Sequence, residues 1–406
     1  MKLFIQKLFN VLEDPNQPFV GRNIKLLKIF GLLLPENNKK LKLIYFIFHA
    51  YVLMFIVTQW MELFTSRSEI IMILRNVKYA IFASVNVTKV STCILWQKDW
   101  KFILDFITKV DEERRTTKDK VSKDILQKYT FQSKIVTYLY FYLTYCTIAM
   151  MIIQPTVQFS LSSSYREKLK SGKEKPLEVV NSWLPVDKRT SSGYIIMIIC
   201  QMLPLIYSGG WITSYDTNAI AVMTFVCCEL ELLRRDCQIL FGTIKEPASN
   251  EEAKAKLAKC HKRHNDLVIC SQLFDSCLSS VMLVYVVICS CMLCATAYQF
   301  MIENEPLQKI ITAVYLIFAV SQLFLYCWHS NEAYYISKDL MLGPYESIWW
   351  MRSLSEQRNI HILTNQLDKI IVFSAGPFSS ITVTTFINIL KGAYSYYTLL
   401  SQSQEN

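Results

Sequence analysis

The chain has 406 residues, 52% of them hydrophobic and only 19% charged, with a formal net charge of +10. Soluble proteins average about 45–50% apolar and about 25% charged, so this balance leans toward the membrane class. The 13 cysteines lack the loop-borne pattern of a secreted disulfide scaffold: most, including Cys146, Cys200, Cys227, Cys228, Cys289, Cys291 and Cys294, lie in apolar runs and read as small buried hydrophobes. Cys291 and Cys294 have CxxC spacing, but inside a helix-length apolar run that is weak ground for redox or metal chemistry.

Residues 1–40 open with MKLFIQKLFNVLEDP, whose apolar run is broken by Gln6, Lys7 and Asn10. That is a poor signal peptide, so this segment is expected to stay in the cytoplasm. Seven segments then reach the ~20 residues needed to cross a bilayer. They are roughly 41–63, 70–95, 134–157, 194–216, 272–300, 308–330 and 377–401. The second carries Arg75, Lys78 and Lys89. Arg75 and Lys78, near its outer end, are expected to snorkel to the interface or to face a wet cavity. The fourth contains Pro204, Gly209 and Gly210, which neighbours can accommodate, and it can run on as a cytoplasmic helix toward Leu240.

Orientation follows from counting cations. With the N-terminus inside, the inner segments 1–40, 96–134, 230–266 and 331–369 hold 29 Lys and Arg; the outer segments 64–70, 158–193 and 301–309 hold 9. The positive-inside rule then places the N-terminus in the cytoplasm and, after seven spans, the C-terminus outside. The surplus positive charge needs no nucleic-acid partner. This orientation is opposite to that of a G-protein-coupled receptor. The loop 158–193 also lacks the cysteine such receptors use, and there is no DRY or NPxxY.

Between spans, KVDEERRTTKDKVSKDILQKYT (109–130) reads as a solvated cytoplasmic extension. KEPASNEEAKAKLAKCHKRHND (245–266) alternates charge at helical spacing, and His261, His264 and Cys260 make a weak metal candidate. The Ser/Lys-rich loop 158–193 can be partly mobile or fold over an outer vestibule. The one sequon, Asn86-Val87-Thr88, falls inside a span, so glycosylation there is not expected. No GxGxxG, Walker, HExxH or GxSxG pattern occurs, and an enzyme or a bound cofactor is not expected.

Gly376-Pro377 breaks the last apolar run. The stretch before it, 359–375, is amphipathic, with Ile360, Leu363, Leu367, Ile370 and Ile371 on one helical face. A cytoplasmic half-helix, a break and a spanning half from Phe378 are therefore expected. In the spanning half, Ser380, Thr384, Asn388, Lys391 and Ser395 recur every three or four residues. Such a stripe either hydrogen-bonds to neighbouring helices or lines water.

Three stretches resemble the insect odorant receptors. GPFSSITVTTFINILKGAYSYYTLL (376–400) is similar to the family's C-terminal signature, SKDLMLGPYESIWW (337–350) to its cytoplasmic block, and GRNIKLLKIFGLLLPE (21–36) to its opening. The likeness is loose over the whole chain and specific over the last 70 residues. The gustatory TYhhhhhQF ending is matched only by Ser395-Tyr396 to Gln402-Ser403, and YYTLLSQSQEN lacks the co-receptor's YFMVLVQLK-like end. The chain therefore reads as a ligand-tuned subunit, with a gustatory-type or homomeric ligand-gated channel as the alternative.

The resemblance implies a non-selective cation channel of four subunits, a hetero-oligomer with the odorant receptor co-receptor, in the cell membrane of an olfactory neuron dendrite. It implies an all-α membrane protein with seven transmembrane helices, N-terminus cytoplasmic and C-terminus extracellular. The domains are a cytoplasmic segment 1–40, an odorant-binding bundle 41–330, a cytoplasmic subunit-anchoring region 331–376, and a pore-lining helix with its tail, 377–406. By position the outer gate falls on Leu399, with Tyr396, Gln402 and a polar Ser403 beside it. Subunit contacts fall on Tyr345, Trp349, Leu363, Leu367 and Ile371. By depth alone, a pocket for a small volatile odorant falls on Tyr79, Phe82 and Ala83 of span two, Tyr145, Ala149 and Ile153 of span three, and Ile199, Met202 and Ile206 of span four.

Overall fold

The computed structural model describes residues 12–65, 70–171, 176–188, 190–303 and 305–405; for 70–75, 170, 191 and 399–405 only the backbone is described. Eleven helices dominate: α1 (Gly21–Ile29), α2 (Lys39–Thr65), α3 (Ile70–Leu95), α4 (Gln97–Arg115), α5 (Lys120–Leu161), α6 (Ser163–Lys170), α7 (Ser191–Gln238), α8 (Asn250–Ile302), α9 (Pro306–Asp339), α10 (Leu354–Leu367) and α11 (Val383–Glu405). Short 3₁₀ turns, Leu340–Glu346 and Trp349–Met351, join α9 to α10.

Helix starts are set by capping. Asp119, Thr190 and Ser249 each accept a hydrogen bond from the first turn of α5, α7 and α8, and Ser353 with Glu356 forms a capping box on α10. Pro155 and Pro204 are carried inside α5 and α7. Among the described residues, α2, α5, α7, α8 and α9 are each long and apolar enough to cross a membrane, and the pair α3–α4, bent by 76°, adds a sixth if it is one span. The seventh expected span, α11, is not among these, and its side chains are described only as far as Thr398.

The bundle is knit around α7. Its outer half is lipid-like, with Ile195, Ile199 and Leu203 exposed, whereas residues 211–230 are almost wholly buried. As the sequence suggested, α7 continues beyond the expected span, to Gln238. Gly210 has no room for a side chain: a Cβ there would lie 2.0 Å from the Phe30 ring, so α1 docks directly on the α7 backbone.

The charged run 109–130 is largely exposed, as expected, and a few of its members staple neighbouring helix ends together. Arg114 of α4 forks onto Glu229 of α7, with N···O distances of 3.0–3.1 Å, and reaches Asp236 at 2.7 Å. Burial by itself would lower the Arg114 pKa, but the two carboxylates override it and raise it. Arg263 of α8 bonds Glu113 at 2.5 Å, and Arg235 bonds Asp119 at 3.2 Å.

The break in the last span is larger than expected. α10 ends at Leu367 rather than running to residue 375, and α11 begins at Val383 rather than Phe378. Between them Ser374–Ala375 pairs with Ser379–Ser380 in a small antiparallel hairpin. Its turn holds Gly376 at φ +68°, a conformation that favours glycine. Helix gives way here because α8 offers better partners: Asp275 accepts from the Ser374 N–H (2.7 Å) and Ser279 O accepts from the Gly376 N–H (3.1 Å). Ile371 is thus buried in the irregular segment before the hairpin, not on a helical face, and Ile370 is exposed.

Candidate functional site

An apolar cavity of ≈ 80 Å³ lies between α2, α3, α5, α7 and α9. Its walls are Val52, Phe55, Ile56 and Gln59 of α2; Tyr79, Phe82, Ala83 and Asn86 of α3; Thr144, Thr147, Ile148 and Met151 of α5; Leu205, Ser208, Gly209, Trp211 and Ile212 of α7; and Tyr315 and Phe318 of α9. Val180 closes it from the outer loop. That loop folds inward: Trp183 N donates to Thr58 O (3.0 Å), and Gln201 of α7 binds Glu178 and Ser182 (2.8 and 2.9 Å).

An aromatic ladder forms one wall. Tyr315 stands edge-on to Tyr79 (5.4 Å between centroids) and to Phe82 (6.0 Å), and Phe82 meets Phe318 at 6.1 Å. Such walls hold a small apolar molecule by burial, at about 25 cal/mol per Å². Lys78 backs this wall. It is 1% exposed and packs over the Tyr79 and Tyr315 rings at 4.8 and 5.0 Å, so it does not snorkel as expected. The Arg75 side chain lies outside the described residues.

The floor is ionic. Asp216 of α7 accepts from Lys89 of α3 (2.7 Å), Tyr140 of α5 (2.5 Å), and Gln322 (2.5 Å) and Tyr326 (2.7 Å) of α9, all buried. Tyr285 of α8 joins by donating to Gln322 Oε1 (3.2 Å), with the Lys89 ammonium 4.8 Å from its ring centre. Four members sit one helical turn from a cavity wall residue: Lys89 from Asn86, Asp216 from Ile212, Tyr140 from Thr144 and Gln322 from Phe318. Asp216 went unnoticed in the sequence reading, although a single Asp in an apolar span opposite a single deep Lys in another is a signal of pairing.

The depth-based pocket residues divide. Tyr79, Phe82 and Ala83 line the cavity. Tyr145, Ala149, Ile153, Ile199, Met202 and Ile206 do not; Ala149, Ile153, Ile199 and Ile206 face outward. On α5 and α7 the cavity is lined by other residues than those chosen by depth. The cavity takes Thr144, Thr147, Ile148 and Met151 from α5, and Leu205, Ser208, Gly209, Trp211 and Ile212 from α7. The interface set divides too. Tyr345 and Trp349 are partly exposed and pack on each other with His361. Leu363, Leu367 and Ile371 are buried inside this chain, which already accounts for their apolar face.

On α11, Thr384, Asn388, Lys391 and Ser395 are exposed, while Ile389 and Ala393 pack inward. At about 100° per residue the four polar positions fall within about 60° of one another, roughly opposite Ile389 and Ala393. The stripe is therefore not spent on hydrogen bonds to neighbouring helices: Ser395 donates to Lys391 O of its own helix (3.0 Å). Tyr396 is exposed as well; the Leu399, Gln402 and Ser403 side chains lie outside the described residues.

Long apolar helices packed as a multi-span bundle around an aromatic cavity make the architecture of a multi-pass membrane protein. The family model described as 7tm Odorant receptor matches residues 69–394. The chain belongs to this family, and is a multi-pass membrane protein. Odorant receptor 30a of Drosophila melanogaster is 19% identical over 95% of this chain and 97% of its own length. Odorant receptor 10 of Aedes albopictus is 21% identical over 53% of this chain, which spans 57% of that relative. The insect olfactory receptor OR5 of Machilis hrabei has the same fold, with a TM-score of 0.80 at 16% identity over 95% of this chain and 97% of that one. Its complex with eugenol superposes with a TM-score of 0.79 at 15% identity, covering 99% of each chain.

Proposed function

We propose that this odorant receptor is a ligand-tuned subunit that assembles with the odorant receptor co-receptor and gates a cation channel. The observation that carries this reading is the α11 stripe. A membrane helix that turns Thr384, Asn388, Lys391 and Ser395 away from its own bundle needs water or other subunits on that side. A pore at a subunit junction supplies both.

The odorant site is the α2–α3–α5–α7–α9 cavity, and the eugenol complex of the Machilis receptor supports a small-molecule role for this fold. The floor provides a path to the pore. A ligand that displaces Asn86, Phe318 or Ile212 acts one turn above Lys89, Gln322 and Asp216, and Tyr285 carries the network to α8. α11 packs along α8. An odorant opens the pore only by binding the open arrangement more tightly than the closed one. Exposed Tyr345, Trp350, Met351, Leu354 and Ile362 in the cytoplasmic region are the side chains left free to meet neighbouring subunits.

The test is whole-cell current during a volatile panel, in cells expressing this chain alone, the co-receptor alone, or both. Odorant-evoked cation current confined to the pair supports a tuned subunit. Current from this chain alone would replace that reading with a homomeric receptor. In the responding combination, Lys391→Gln changes the conductance or cation preference if α11 lines the pore; unaltered permeation would remove α11 from the pore wall.

A further inference from the structure

The cavity wall leaves several hydrogen-bonding groups unmatched. The Thr144, Thr147 and Ser208 hydroxyls donate to carbonyls of their own helices, those of Tyr140 (2.9 Å), Leu143 (2.8 Å) and Leu205 (3.0 Å). Asn86 donates its amide to Phe82 O at 3.0 Å, also on its own helix. That bond fixes the amide's orientation, because a flip would set two oxygens against each other. Asn86 Oδ1 is then an acceptor, buried at 3% exposure, that receives no hydrogen bond from the chain. Gln59 Oε1, from a side chain 5% exposed on the facing α2, is in the same condition. The Trp211 indole N–H and the Tyr315 hydroxyl, on the same wall, likewise make no hydrogen bond within the described residues.

An apolar chamber that holds an unmatched acceptor at Asn86 and unmatched donors at Trp211 and Tyr315 favours a hydroxyl, which can both donate and accept, over an ether, which can only accept, since each unmatched buried group costs free energy that a ligand bond recovers. No carboxylate lines the chamber, so a charged ammonium would enter at a large desolvation cost. We propose that the preferred ligands are neutral hydroxyl compounds, small alcohols or phenols, and that Asn86, aided by Gln59, is the specificity-determining residue that accepts their O–H. This rests on the cavity being the odorant site, and it goes further by naming the ligand's chemistry.

The experiment uses matched sets of volatiles in cells expressing this chain with the co-receptor: aliphatic alcohols or phenols, their methyl ethers, and hydrocarbons of the same shape. Hydroxyl compounds are expected to act at concentrations about 10- to 100-fold lower than their ethers. Asn86→Leu, which removes only a bond within α3, should erase most of that preference at normal surface expression, and Gln59→Met should reduce it. Ethers as potent as alcohols on the wild type would overturn the proposal, as would a preference that survives both variants. Thermal stabilisation of the purified full chain by the same compounds separates the two readings. Alcohol-selective binding without current keeps the ligand class and sinks the channel reading; current without hydroxyl selectivity does the reverse. Neither binding nor current from any set overturns the ligand class.

Discussion

Removing Lys89 is the sharpest test of the ionic floor. In the wild type Asp216 accepts four hydrogen bonds, one from a cation, and both members of the ion pair are at most 1% exposed. Lys89→Met leaves a buried carboxylate with three neutral donors. Breaking a buried pair in this way costs about 3–5 kcal/mol. Asp216→Leu leaves Lys89 with only the faces of Tyr285, Tyr326 and Tyr215, 4.8–5.9 Å away, and strands the donors of Tyr140, Gln322 and Tyr326. It is expected to cost at least as much. The double variant removes both charges and keeps only the stranded-donor penalty, about 1–3 kcal/mol for each group. It should be no worse than Asp216→Leu alone, far short of the sum of the two singles. Unfolding free energies of the purified chain in mixed micelles, combined in a double-mutant cycle, measure this. Additive singles, or a Lys89→Met cost under about 1 kcal/mol, would refute the reading of Asp216 as a charge held mainly by Lys89.

Three further outcomes follow from particular contacts. Ile148→Trp fills the cavity and should abolish or retune the odorant response, whereas Ile153→Trp on the outward face of the same helix should leave concentration–response curves unchanged; equal effects would move the site elsewhere. Gly210→Ala drives a methyl into the Phe30 ring and should destabilise by about 1–3 kcal/mol, seen as a lower melting temperature, while Gly209→Ala meets only the flexible Cδ1 of Ile148 and should melt near wild type. His264, in the cytoplasmic part of α8, has its pKa lowered from 6.5 to about 4 by burial and by Lys369 and His261. The unfolded chain therefore binds the extra proton between those values, and stability should fall as pH drops from 6.5 toward 4. His264→Leu, which sacrifices no hydrogen bond because neither ring nitrogen has a partner, should flatten that part of the profile; an unchanged slope would exclude His264 as its source.

Hydropathy length was sufficient to outline most of the bundle, because a bilayer crossing demands a long apolar run wherever it occurs. The continuation of α7 was legible from the apolar residues beyond its span, and the break before α11 from Gly376-Pro377. What the local pattern missed depended on distant partners. The amphipathic run to residue 375 has helical periodicity, yet Asp275 and Ser279, some hundred positions earlier, draw Ser374 and Gly376 into a hairpin. Likewise the burial of Arg114, within a charge run that is otherwise largely exposed, depends on Glu229 and Asp236 far along the chain.

The cavity shows why a face is harder to read than a helix in a membrane. In a soluble bundle, the apolar side of a helix is the inside. In lipid both sides are apolar, and the outward side is often the greasier: Ile153, Ile199, Leu203 and Ile206 are all at least 40% exposed. Choosing large apolar residues at the right depth therefore selected the lipid face of α5 and α7. The inner face carries the residues that lipid penalises or that let helices approach, Thr144, Thr147, Ser208 and Gly209. The same reasoning places the α11 stripe. Its Thr384, Asn388 and Lys391 cannot be a lipid face, and they are not an inner face either, since Ile389 and Ala393 occupy that side. A helix with one apolar side against its own bundle and one polar side away from it has found only half of its surroundings within one chain. The other half is water or a second subunit, and the ion permeation of Lys391→Gln channels is where that inference meets measurement.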